Sequence, residues 1–524
     1  MRSIFISFLV IFLTFSLHSC RKSGPFDIVI KGGTVLDGSG SQAVRADIGI
    51  RDGKITAIGN LKNSNSSRMI DVTDLIVSPG FIDSHTHIES IMKFPGAQNH
   101  IRQGVTTVVG GIDGGGPWPF GKYLDSLDLH YELGPNVAYL TGHNTIRNRV
   151  MGNENRHPTP EELDTMKAMT RRAMEEGAFG LSTGLKYIPG AFSGTPEVIG
   201  LSKVASDLGG FYHSHLREEG LGLIEAVNEA IIIGRDANIP VVMTHHKAIG
   251  KPMWGKSLIT TGLVDSARNA GIDVMMDQYP YTASSTGLSV LIPSWAMAGS
   301  SSDFKKRLAN PVMRDSILAG IKFNILNDRG GGDTRLIQFG TVPSDSTLNG
   351  KTLYDYAVRS GVKPDPENSA KLVLELQLKG GASCIYHAMW EEDVERIMKH
   401  PYTMIASDGG ESVPHPRSYG TFPRVLGHYV REKNILTLEE AIRKMTSLPA
   451  RRLGLTDRGL IKEGNYADIT IFDPKSIIDR STFGQWRNYP DGIYYVIVNG
   501  VVTFENGEMT NNRAGKVLRG PAFH

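Results

Sequence analysis

Cysteine is nearly absent from this chain of 524 residues: Cys20 and Cys384 are its only two. With Cys20 inside an N-terminal leader, no disulfide framework is available, and the fold must stand on its core. Excess charge is missing as well. Lys and Arg number 56 against 54 Asp and Glu, a net charge of +2, so no nucleic acid or other charge-driven partner is suggested. The apolar run Ile4 to Leu17 is too short for a comfortable membrane span. What is present is ordinary for a large soluble protein: 40% hydrophobic and 21% charged residues, enough for a big core plus a smaller domain.

Residues 1–20 read as an export signal, with Arg2 ahead of the apolar run and small or polar residues before a cysteine. Leu17-His-Ser-Cys20 resembles the bacterial lipobox, in which the signal is cut on the N-terminal side of the cysteine and that cysteine carries the lipid; His18 is unusual there. The expectation is an exported protein of the bacterial periplasm or cell surface, held to a membrane only by a lipid on Cys20.

From Asp27 to about Val77 the pattern is that of short strands with turns at Gly32-Gly33 and Asp52-Gly53. Similar strands return near the C-terminus, Ala467 to Pro474 and Tyr494 to Phe504. Two such segments bracketing a long middle suggest one small β-sandwich domain built from both ends, 21–78 plus 458–524; two separate hairpin units fit the pattern too. In the middle, 79–457, apolar strand-like runs alternate with helices: Phe81-Ile82, Thr106–Val109, Val137–Leu140, Phe179–Ser182, Gly210–His215, Pro240–His245, Asp273–Asp277 and Tyr402–Asp408. Thr159 with Glu162, and Thr437 with Glu440, read as capping boxes opening two of the helices. Eight strands alternating with helices predict an α/β fold, a parallel (β/α)₈ barrel of the TIM type. The stretch 294–378, helical and polar, reads as an insertion between the seventh and eighth strands.

In such a barrel the site forms at the C-terminal ends of the strands. His85 and His87, two apart and so on one face of an extended strand, close the first. Asp113 follows the second, His215 closes the fifth, His245 the sixth and Asp408 the eighth. Taken alone, His-x-His or a buried His215 or His245 is more simply structural. Converging on one mouth, these donors suit one or two Zn²⁺ ions. Lys247 and Arg417 in the same mouth would receive an anion, unless they are solvated surface cations.

The motifs Pro79-Gly-Phe-Ile-Asp-Ser-His-Thr-His87, Gly180-Leu-Ser-Thr-Gly-Leu185, Thr244-His-His-Lys247, Gln278-Tyr-Pro-Tyr-Thr-Ala283, Ser407-Asp-Gly409 and His415 to Arg424 together resemble the amidohydrolase superfamily, and within it the bacterial N-acyl-D-amino-acid deacylases (D-aminoacylases). The resemblance implies a zinc-dependent hydrolase that cleaves the amide of an N-acyl-D-amino acid. It implies that His85, His87 and Asp408 hold one metal position and His215 and His245 the other. Asp408 would also be the general base, then the acid toward the leaving nitrogen. Lys247, Tyr279, Ser285 and Arg417 would grip the substrate's α-carboxylate. Two departures stand out: Asp113 replaces the relatives' metal-binding Cys, and Lys186 replaces a Glu. Asp113 is favoured as ligand over a carboxylated Lys186 as the bridge. These departures also give weight to an alternative substrate, a β-linked dipeptide or cyclic amide, as in the isoaspartyl dipeptidase and dihydroorotase branches.

Overall fold

The structure, a computed structural model, describes residues 26–524. The leader and Cys20 lie outside the described residues. Eight parallel strands form the central barrel: β1 (Phe81–Asp83), β2 (Val105–Gly110), β3 (Asn136–Tyr139), β4 (Gly180–Gly184), β5 (Phe211–His215), β6 (Val241–Met243), β7 (Val274–Gln278) and β8 (Thr403–Ile405). They pair in sequence order. The β3–β4 seam is closed by Thr141 and Gly142 opposite Leu181 and Ser182. The β8–β1 seam is closed by the Asp408 amide donating to His85 carbonyl at 2.8 Å and the His87 amide to Gly409 carbonyl at 2.7 Å. Parallel strands covered on both faces must be apolar on both, and every residue of β2, β5 and β7 is buried.

The helix Pro160–Glu175 opens with the full Thr159–Glu162 capping box. At Leu438–Met445 only half of the expected box forms. Thr437 accepts from the Glu440 amide, but the Glu440 carboxylate is taken by Arg443 at 2.7 Å instead of turning back to the cap.

Two sheets make a β sandwich at the base of β1. One holds Lys54–Gly59, Asp47–Arg51, Phe26–Lys31 and Ser66–Asp71; the other joins Ile76–Pro79 to Ile469–Phe472 and onward to Ile493–Val498 and Val501–Glu505. Ile76–Pro79 runs directly into β1, so this sheet sets the angle at which β1 enters the barrel. The last residues leave the sandwich and run across the barrel end opposite the site, where Gly515, Leu518 and Gly520 amides donate to Leu133, Val137 and Gly177 carbonyls.

The insertion is larger than the sequence pattern indicates, and it is not all helical. Ser284–Gly287, Ile337–Thr341 and Ser383–Tyr386 form a three-stranded antiparallel sheet. Its outer boundaries lie ahead of residue 294 and beyond 378, because its two flanking strands are only four residues each and the first, Ser284-Ser-Thr-Gly287, is polar throughout. Leu288, Ile321, Phe339, Val373 and Tyr386 belong to a core of its own.

Phe81 of β1 is fully buried and stacks on Phe422, ring centroids 5.5 Å apart, tying β1 to the helix Arg417–Arg424. Phe81→Ala removes that contact and leaves a cavity, and should cost ~3–5 kcal/mol, read as a lower midpoint in chemical denaturation.

Candidate metal centre

The chemistry-bearing side chains collect at the C-terminal ends of the strands. His85 and His87 leave β1 on one face: His85 Nε2 is 3.5 Å from both Asp113 Oδ1 and Asp408 Oδ1, and His87 Nε2 is 3.2 Å from Asp408 Oδ1 and 3.9 Å from Asp113 Oδ2. Across the mouth, His215 Nδ1 and His245 Nε2 are 3.8 and 3.6 Å from Asp113. Two donor groups face the mouth, one of His85, His87, Asp113 and Asp408, the other of Asp113, His215 and His245; a third, of His85, His213 and Asp277, lies behind His85 and is fully buried. Asp113 belongs to both groups at the mouth.

The protein itself satisfies these groups poorly: His85 Nε2, His215 Nδ1 and Asp113 Oδ1 are buried with no hydrogen-bond partner. Buried polar atoms ordinarily have partners. Imidazole nitrogens and carboxylate oxygens aimed at common points within 4.8 Å are the donor set zinc takes. The residues present therefore fit one ion or two, and Asp113 would offer an oxygen to either donor group.

Burial would raise the Asp113 and Asp408 carboxyls, but facing charges outweigh it. His85 and His245 hold Asp113 well below the usual carboxylate range, and Arg417, with His245 and His85, holds Asp408 below it. Arg417 Nη1 is 2.7 Å from Asp408 Oδ2. At the end of β1, Asp83 accepts from the Ser407 amide at 2.9 Å, and burial pushes its carboxyl up to about 7.

The remaining residues singled out in the sequence divide. Ser285 and Arg417 line a cavity of about 830 Å³ that opens over Asp113 and Asp408. Arg417 Nη2 donates to the Ser285 carbonyl at 3.4 Å and its guanidinium stacks 4.7 Å from the Tyr279 ring. Lys247 and Tyr279 lie behind this wall. Lys247 donates to Glu219 and to the His245 carbonyl, and the Tyr279 hydroxyl is 3.6 Å from Met389 Sδ. Glu219 has claimed the ammonium that the resemblance assigned to substrate. Lys186 donates to Glu218 at 2.6 Å, so its ammonium is engaged away from Asp113.

Three groups escaped the sequence reading. Asp277 Oδ1 is 3.6 Å from His85 Nδ1 and accepts from the His245 amide at 2.5 Å. Its Oδ2 is 3.3 Å from His213 Nε2. Glu219 faces His215 and His245. Asp277 and His213 carried a usable signal, a carboxylate closing a strand and a histidine two residues before His215; Glu219, in a loop, carried none.

Donors of this kind around the mouth of a closed barrel define a metal-dependent hydrolase, and the comparisons with known proteins give the bond it cleaves. The chain matches the Amidohydrolase family over residues 68–201 and 358–504. It is 36% identical over 525 residues to the D-aminoacylase of Alcaligenes xylosoxydans xylosoxydans, with 95% of this chain and 99% of that protein covered. To the N-acyl-D-glutamate deacylase of the same organism it is 36% identical, with 94% and 96% covered. The solved N-acyl-D-glutamate deacylase of Bordetella bronchiseptica, complexed with zinc and a phosphonate inhibitor that mimics the tetrahedral intermediate, superposes with a TM-score of 0.82 at 34% identity, covering 95% of this chain and 100% of that one. A solved D-aminoacylase with a binuclear metal center, in which one metal activates and the second attenuates, superposes with a TM-score of 0.81 at 36% identity over 94% of this chain and all of that one. The chain belongs to the amidohydrolase family, in its N-acyl-D-amino-acid deacylase branch. It is a hydrolase of amide carbon–nitrogen bonds.

If Asp113 serves both positions, Asp113→Ala should weaken metal retention at least about 100-fold, measured as zinc per chain after dialysis against a chelator, with the His85 and His87 position also affected.

Proposed function

We propose that the protein is an exported, zinc-dependent deacylase that hydrolyses N-acyl-D-amino acids to a carboxylate and a free D-amino acid. The observation that carries this is the Asp408–Arg417 pair on the cavity wall beside the two donor groups: an ionised carboxylate for proton transfer next to a guanidinium for an anion. The relatives' names supply the substrate class and the D configuration.

His85, His87, Asp113 and Asp408 would hold one zinc ion, and Asp113, His215 and His245 a second. A bound zinc supplies Lewis acidity toward water and toward the amide carbonyl. Asp408, kept ionised by Arg417, takes a proton from the attacking water at Oδ1 or Oδ2 and returns it to the leaving nitrogen. Arg417 offers a planar fork to the substrate's α-carboxylate. Its Nη1 is on Asp408 at 2.7 Å, so an incoming carboxylate competes for the guanidinium. Loss of that partner makes Asp408 a stronger base at the moment substrate arrives. Ser285 borders the same corner.

The alternative of a β-linked dipeptide or cyclic amide leaned partly on Lys186 as a bridging residue. With its ammonium on Glu218, that support is withdrawn. Export and a lipid anchor on Cys20 rest on the sequence alone: Arg2, the run Ile4 to Leu17, and the lipobox-like Leu17-His-Ser-Cys20. Among the described residues no helix is long and apolar enough to cross a membrane.

Zinc-loaded protein should release acetate from N-acetyl-D-amino acids and leave the L enantiomers intact. No turnover on the D panel, alongside cleavage of dipeptides or cyclic amides, would overturn the substrate assignment. Asp408→Asn should lower kcat about 10²- to 10⁴-fold, the range lost with a general acid–base group.

A further inference from the structure

Behind the metal donors lies a chain of charges to which the hydrolytic reaction gives no role. Glu219, 2% exposed, stands on the far side of His215 and His245 from Asp113. Its Oε1 is 3.1 Å from His245 Nδ1, and its Oε2 is 3.6 Å from His215 Nε2. The opposite ring nitrogens, His245 Nε2 and His215 Nδ1, are the ones that face Asp113. One carboxylate thus backs both imidazoles, through different nitrogens. A ring N–H aimed at a carboxylate fixes the tautomer and leaves the other nitrogen's lone pair for a metal.

A buried carboxylate needs counter-charge, and two cations supply it. The Lys247 ammonium bonds Oε1, and Arg329 Nη2 is 3.6 Å from Oε2. Lys247 Nζ also lies 2.7 Å from His245 Nδ1, where a donated proton would impose the wrong tautomer for a metal at Nε2. Its bonds to Glu219 and to the His245 carbonyl give its protons other acceptors. Arg329 is not a barrel residue. It comes from the insertion, is 1% exposed, and has Nε 3.5 Å from Asp328 Oδ2. Asp328 is 3.8 Å from Lys186, which pairs with Glu218. Three carboxylates and three cations therefore alternate across the seam between insertion and barrel.

That seam is close-fitting. A Cβ on Gly250 would come 2.8 Å from the Asp328 carbonyl, and φ there is +86°. A Cβ on Gly220 would come 2.6 Å from Asp328 Oδ1. These approaches hold the segment bearing Arg329 in one register over the loops after β5 and β6.

We propose that Glu219 positions His215 and His245 for metal binding, and that Arg329 holds Glu219 in place, so that docking of the insertion sets the affinity of this metal position. The inference rests on reading Asp113, His215 and His245 as a metal position. Glu219 and Arg329 are positioning residues, acting through the imidazoles.

The test is zinc affinity of the purified protein, by equilibrium competition with a chelator, for wild type, Glu219→Gln, Arg329→Gln, Arg329→Lys and the double variant Glu219→Gln/Arg329→Gln. Each glutamine variant should weaken zinc binding at one position about 10- to 100-fold. Arg329→Lys should recover most of the loss, and the double variant should bind no more weakly than Glu219→Gln. Failure of wild type to bind zinc sinks the metal reading itself. Zinc-binding wild type with Glu219→Gln unchanged, or losses that add in the double variant, overturns the proposal. Glu219→Gln is nearly isosteric and carries its arm alone. If Arg329→Gln does not fold, Arg329→Met takes its place in the cycle, and a loss of equal size with and without Glu219 overturns the coupling.

Discussion

Asp113 is the constraint on which the site depends, because both histidine pairs face it from opposite sides. Bringing one carboxylate within 4 Å of imidazoles from β1, β5 and β6 requires the strands to be parallel, closed and level at their C-terminal ends. A sheet with one open seam would separate β1 from β8, and Asp408 from His87. The local backbone is bent to the same purpose. Asp113, His245 and Asp408 have φ of 53°, 35° and 49°, a left-handed conformation that costs non-glycine residues roughly 1–3 kcal/mol each. Bonds around each hold it there: the His245 amide on Asp277, the Asp408 amide on the His85 carbonyl, and the Gly114 amide on Ser182 Oγ. Strain at three donors of one site is what an over-determined scaffold permits.

Charge accounts for the next layer. Asp113, Asp277, Asp408 and Glu219 are four carboxylates among imidazoles, faced by three fixed cations, Lys247, Arg329 and Arg417. Arg329 is shared with Asp328. Burying unbalanced ions is costly. Asp113 and Asp277 are the two of the four whose ion pairs are with histidines alone, and Asp113 is the one that belongs to both donor groups at the mouth. A divalent cation there settles both the charge and the partnerless nitrogens of His85 and His215. The same economy explains Lys247. Its sequence neighbourhood marks it as an anion receptor, yet a nearer anion, Glu219, belongs to the protein.

Much of this was legible in the sequence, and the reasons are physical. Barrel strands are short apolar runs at regular intervals, and metal donors are chemically distinctive residues at the ends of those runs; position and type point the same way at His85, His87, Asp113, His215, His245 and Asp408. Asp277 met the same criteria and went unused because it also reads as an ordinary end of a strand, and His213 was passed over because it lies in mid-strand, two residues short of His215. Glu219 and Arg329 could not be found this way. One is a charge in a charged loop, and the other belongs to a segment whose path back to the barrel no local periodicity encodes. The insertion's limits were misjudged for a related reason: Ser284–Gly287 becomes a strand only because Ser383–Tyr386 returns to pair with it, a partnership set by tertiary structure.

The insertion touches the site at two places, and this couples properties that would otherwise be separate. Leu288, Thr341, Gln377 and Gly380 form part of the cavity wall in front of Asp113 and Asp408. Arg329, from the same unit, stands behind the metal-facing histidines. Between the two, the insertion is one packed body, with Leu288, Ile325 and Phe339 in a common core. Close-packed interiors transmit displacement in place of absorbing it. A change in that core that shifts the cavity wall therefore also shifts Arg329 relative to Glu219. Through this element, a substitution that resizes the cavity also acts on the placement of His215 and His245.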